Sequence, residues 1–109
     1  MNSFFADLGQ RLTAAAAAKD RQLPVPALDQ PMAAELLELA RVVARGQERR
    51  FAPLACYLAG VAVGRIEAAD PAASSTDVRD LVREVRVALE RELPAEPPAG
   101  PGAGTLSGR

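Results

Sequence analysis

The sequence predicts an all-α fold: a compact bundle of about four helices, with a central apolar helix and a disordered C-terminal tail. Three observations predict it. Apolar residues recur at three- and four-residue spacing in separate segments, and no stretch alternates as a strand does. Only 4% of the chain is aromatic, with 3 Phe, 1 Tyr and no Trp, so the core must be built from Leu, Val and Ala, which suits helices. One segment, Phe51 to Gly64, contains no charged residue, and a helix apolar all round is usually buried on several sides. At 109 residues the chain has room for one domain, expected at 1–93, followed by a Pro/Gly-rich tail at 94–109.

The first helix is expected after Ser3, a good N-cap. It sets Phe4, Leu8 and Leu12 at i, i+4 and i+8 with Phe5 beside them, then runs into the alanines from Ala14 to Ala18. Leu23 to Leu28 holds Pro24 and Pro26, and each proline disfavours helix in the residue before it, so this stretch reads as an extended connector. The second helix opens at Asp29, with Pro31 in a first turn where a missing N–H costs nothing. Leu36, Leu39, Ala40 and Val43 form its apolar stripe, Glu35, Glu38 and Arg41 its wet side, and Gly46 a left-handed cap.

The third helix, entered through Pro53, is expected to be the most buried. Gly60 and Gly64 share an edge with Ala52 and Cys56. Glycine inside a helix costs about 1 kcal/mol relative to alanine, which suggests a closely approaching neighbour helix at that edge. Phe51 and Tyr57 complete the candidate packing or interface positions. Ser74, Ser75 or Thr76 caps the fourth helix, with Asp77 in its first turn. That helix runs to about Leu93, with Val78, Leu81, Val82, Val85 and Leu89 on one face and Arg79, Arg83, Arg86, Glu90 and Arg91 outside it. From Pro94 onward four prolines and four glycines leave too little apolar surface to offset ordering entropy.

The chemistry on offer is narrow. The chain has no histidine, which removes the commonest general base and the commonest transition-metal ligand. Its single cysteine, Cys56, cannot close an internal disulfide and sits in the apolar segment as a small core residue. The carboxylates are interleaved with arginines in the pattern of solvated helix faces, so no catalytic residue, metal site or cofactor is expected. A net charge of −1 argues against nonspecific nucleic-acid binding. The first ten residues carry Asp7 and no basic residue, unlike a signal peptide. The 14-residue charge-free run falls short of the roughly 20 residues a membrane span needs. A cytoplasmic location is expected. Arg41, Arg45, Arg49 and Arg50 gather where the second helix ends and the third begins. They form a candidate contact for an anion or a partner, since free N–H groups at a helix start favour negative charge.

Residues 35–65, ELLELARVVARGQERRFAPLACYLAGVAVGR, carry a resemblance to a known family. The pattern is an aliphatic helix, a basic residue with Gly, a basic turn, Ala-Pro-Leu, and an apolar helix ending near Gly and Arg. Here these are Leu36, Leu37, Leu39, Ala40, Val43, Ala44, Arg45, Gly46, Ala52, Pro53, Leu54, Leu58, Gly60, Gly64 and Arg65. The segment resembles the small helical domains of actinobacteria that occur beside, or fused to, molybdenum-cofactor guanylyltransferases. Arg45 stands where that family often has histidine, and Phe51 replaces a smaller residue. The resemblance implies a setting in molybdenum-cofactor maturation or molybdoenzyme assembly, with such a guanylyltransferase or a molybdoenzyme subunit as partner. The leading expectation is a non-enzymatic accessory or protein-interaction domain. The alternatives are a module holding a nucleotide or phosphate-bearing ligand at the arginine turn, and a homo-oligomer subunit that only dimerises.

Overall fold

The computed structural model describes residues 3–94. The expected tail at 94–109 therefore lies outside the described residues, except for Pro94. Four α-helices follow one another: α1 (Ser3–Ala17), α2 (Gln30–Gly46), α3 (Ala52–Ala69) and α4 (Ser75–Arg91), with a single 3-10 turn at Arg49–Phe51 leading into α3. No strand occurs among the described residues, so the all-α, four-helix fold read from the sequence is the fold observed.

Each boundary has a local cause. The Asp29 side chain accepts a 2.8 Å hydrogen bond from the Met32 N–H, with Pro31 in the first turn of α2. At α4, Ser74 and Asp77 close a capping box. The Asp77 N–H donates to Ser74 Oγ and the Ser74 N–H to the Asp77 carboxylate, both at 3.0 Å. The backbone and hydroxyl donors of Ser74 hold the Asp77 carboxyl below its ordinary pKa. Ser74→Ala should cost about 1 kcal/mol, read as a lower urea midpoint at unchanged slope. A changed slope would mean that more than the cap had been lost.

Two stops differ from expectation. Gly46 is not a left-handed cap, because it is the last helical residue of α2, and Gln47 caps it at φ −131° with its N–H on the Val43 carbonyl at 2.8 Å. The reason for glycine at 46 is packing. A Cβ there would lie 2.9 Å from Cδ2 of Leu93, which comes back across the end of α2. The left-handed residue is Asp20 instead, at φ 58°, in the turn that ends α1.

The centre of the bundle is α2, which packs against both α3 and α4, while α3 and α4 barely meet. Among the described residues the buried apolar side chains are Leu39 and Val42 of α2 and Val78 and Val82 of α4. The expectation of a central, most-buried apolar α3 is therefore corrected: among its described residues none is buried. Freedom from charge told what α3 could bury, whereas burial depends on what the chain supplies to cover it. Only one side of α3 has a neighbour. Gly60 and Gly64 are corrected with it, since a Cβ built at either meets nothing within 4 Å. They mark no close approach within the chain.

The first helix stands apart. It approaches none of the other helices at the backbone. It folds back on its own connector, where a Cβ on buried Gly9 would lie 2.5 Å from the Pro26 carbonyl oxygen.

Candidate functional site

Two features of the surface could carry function: a network of charges between α2 and α4, and the apolar ground on either side of α2.

The charge network begins at Glu35, only 5% exposed. Its carboxylate accepts from Arg83 Nε at 2.7 Å and from Arg86 Nη2 at 3.0 Å. Arg86 also donates to Glu90 at 3.2 Å, Glu90 accepts from Arg41 at 2.8 Å, and Arg41 reaches Glu38 at 2.9 Å. Burial by itself pushes the Glu35 carboxyl up. The hydrogen bonds and charges of Arg83 and Arg86 outweigh that and hold it below its ordinary pKa. Glu90 is held low by Arg41 and then Arg86. Of the two partners of Glu35, Arg83 keeps about half of its side chain in water and Arg86 about a fifth.

Glu35 thus does not lie on a wet face. The apolar seam between α2 and α4 is narrow, so the polar flanks of both helices face each other across it. Arginine pairs at spacing 3 (Arg83, Arg86) and Glu90 four residues on were the signal in the sequence that one flank of α4 could clasp a carboxylate.

The arginines of the candidate contact divide. Arg41 belongs to the network and is held more firmly protonated by Glu90 and Glu38. Arg45 lies in the last turn of α2. Arg49 and Arg50 are exposed in the 3-10 turn, where Arg50 donates to Glu48 at 2.8 Å and lies 5.9 Å from the centre of the half-buried Phe51 ring.

The apolar ground is larger. Between α3 and α4, with α2 as its floor, lies a groove of about 300 Å³ walled by Leu39, Val43, Leu58, Leu81, Val85 and Leu89. On the α3 side, Leu58 of the wall and its neighbours Leu54 and Tyr57 are 67%, 61% and 70% exposed. On the other side of α2 a second cleft, of about 470 Å³, is lined by Phe5, Leu28, Leu36, Leu37 and Cys56. The Cys56 thiol donates to the Leu36 carbonyl at 3.6 Å, and burial pushes its pKa up, so it is a packing thiol and not an activated one. Among the described residues, no three or more Cys, Asp or Glu side chains gather as metal ligands would.

By length and composition, Arg49–Ala69 is long and apolar enough to cross a membrane. Arg65 and Glu67 interrupt it, however, and the charge-free part from Phe51 to Gly64 rises only about 21 Å, against a hydrocarbon core of about 30 Å.

The model of the family described as Domain of unknown function (DUF6457) matches residues 3–97. No curated protein and no solved structure matches the chain.

Proposed function

We propose that this chain, which belongs to the DUF6457 family, is a cytoplasmic protein-interaction domain with no chemistry of its own. One observation carries the reading. Among the described residues, 11 large apolar side chains are exposed, whereas the buried apolar core numbers 4. Scattered apolar residues on a surface are ordinary. Here Leu54, Tyr57 and Leu58 gather along one outward helix and Val85, Phe5 and Leu37 around two apolar grooves, the rest lying on α1 and its connector. Contiguous apolar patches mark interaction sites. The helical resemblance of residues 35–65 names a candidate partner, a molybdenum-cofactor guanylyltransferase or a molybdoenzyme subunit. The nucleotide module is less well supported, because Arg41 and Arg50 are already engaged by carboxylates of the chain.

Calorimetry of the full chain against such a guanylyltransferase tests the reading. Apolar burial predicts a negative heat-capacity change and little response to salt. Leu37→Glu alters a position 71% exposed, so it should spare the fold while weakening binding about tenfold. No heat with the guanylyltransferase would remove that setting. Binding of guanine nucleotides alone, steeply salt-dependent and lost in Arg45→Ala and Arg49→Ala, would replace the reading with the nucleotide module.

A further inference from the structure

We propose that the outward face of α3 is a homodimer interface, on which a second copy of this chain lays its own α3 antiparallel across a two-fold axis. This deepens the interaction-domain reading and rests on it.

The face is continuous. Leu54, Tyr57, Leu58 and Val61 follow at i, i+3, i+4 and i+7, so they share one side of the helix, and half-exposed Val85 of α4 stands across the groove from Leu58. The area suits a dimer. Tyrosine buries roughly 150–250 Å² and each aliphatic side chain on the order of 100 Å², so these five, being only partly exposed in the single chain, supply about half the interface. The small residues along the 18-residue helix, about 27 Å long, supply the rest of the roughly 800 Å² per partner that a stable pair needs.

Charge favours a copy over a partner of different chemistry. A two-fold interface sets each residue near its own counterpart, so any charge at its centre would meet a like charge. From Phe51 to Gly64 there is none. The charges lie at the ends: Glu48, Arg49 and Arg50 before the helix leave one net positive charge, and Arg65, Glu67 and Asp70 towards its close leave one net negative charge. An antiparallel pairing brings the basic end of one copy to the acidic end of the other and opposes the two helix dipoles. A parallel pairing would set arginine against arginine.

Gly60 and Gly64 then acquire a use. Each weakens the helix relative to alanine, and among the described residues nothing occupies the space that a side chain would fill. A crossing α3 from the second copy would occupy it.

Sedimentation equilibrium of the full chain from about 1 to about 200 μM is the test, with thermal melts at both ends of that range. The expected result is twice the 11.4 kDa chain mass and a melting temperature that rises with concentration. Tyr57→Glu and Leu58→Glu, at positions 70% and 67% exposed, should each give the single-chain mass with unchanged helical circular dichroism. Gly60→Leu should weaken the dimer about tenfold or more and leave the helix content intact. A wild-type chain of single mass at the highest concentration would overturn the proposal. So would a dimer that survives both charge substitutions. Binding of the wild-type monomer to anionic vesicles, lost in the same variants, would assign the face to a membrane surface instead. A monomer that still gives heat with the guanylyltransferase would refute self-pairing alone and leave the interaction domain standing.

Discussion

Leu39→Ala is expected to destabilise the chain by about 2–4 kcal/mol, a large share of the 5–15 kcal/mol that holds a typical domain. Leu39 is 4% exposed on the face of α2 where the bundle has its only apolar centre among the described residues. Truncation removes its transfer free energy and leaves a void, because Val42, Val78 and Val82 are β-branched and stiff and do not collapse into it. In a chain of this size the melting temperature should fall by roughly 10–25 °C. The control lies two residues away. Leu37, 71% exposed on the same helix, should tolerate alanine within about 0.5 kcal/mol. Equal losses in urea unfolding would mean that the core is not where α2 meets α4.

Glu35→Leu is expected to cost about 2–3 kcal/mol. Removing one partner of a buried ion pair typically costs about 3–5 kcal/mol because the other charge is stranded. Here the loss is smaller, since Arg83 is 50% exposed and can turn to water, and Arg86 keeps Glu90. Glu35→Gln, which retains an acceptor, should lose less. The same carboxylate makes stability depend on pH. Its folded pKa lies below its unfolded one, so its contribution is present in full above the ordinary glutamate range of about 4.3. That contribution is lost as pH falls through the folded value. Glu90 adds in the same direction. Melting temperatures taken from pH 7 down to pH 3 should drop in the wild type and drop less in Glu35→Gln. Parallel curves would show that the network does not titrate with unfolding.

The helices were legible because their signals are local. Asp29 and Ser74 with Asp77 cap, Pro31 and Pro53 open first turns, and each acts within four residues of the chain. What lay hidden was which faces meet. The spacing of Leu36, Leu39, Ala40 and Val43 defines an apolar side of α2, yet the helix is turned so that Val42 and Glu35 are buried. A rotation of that size depends on two partners with different demands: an apolar seam with Val78 and Val82, and a clasp from Arg83 and Arg86. Neither is visible from α2 alone. The apolar α3 misled for a related reason. Its composition identifies a surface that disfavours water, and a second chain can cover such a surface as well as the same chain can. Of the proposed interface, the sequence singled out Tyr57, Gly60 and Gly64 together with Phe51, whereas Leu54 and Leu58 fell within the segment expected to be buried.

The seat of Gly9 against Pro26 has a consequence for how the molecule comes apart. Because α1 touches its own connector and approaches none of the other three helices at the backbone, α1 and the other helices do not share a single free energy of opening. Residues 3–28 can peel away with the Gly9–Pro26 seat intact, giving up only the places of Phe5 and Leu28 in the cleft beside Leu36 and Leu37, while α2 to α4 stay closed behind Leu39 and Glu35. The chain therefore behaves less like one cooperative object than like a three-helix body that carries a latch.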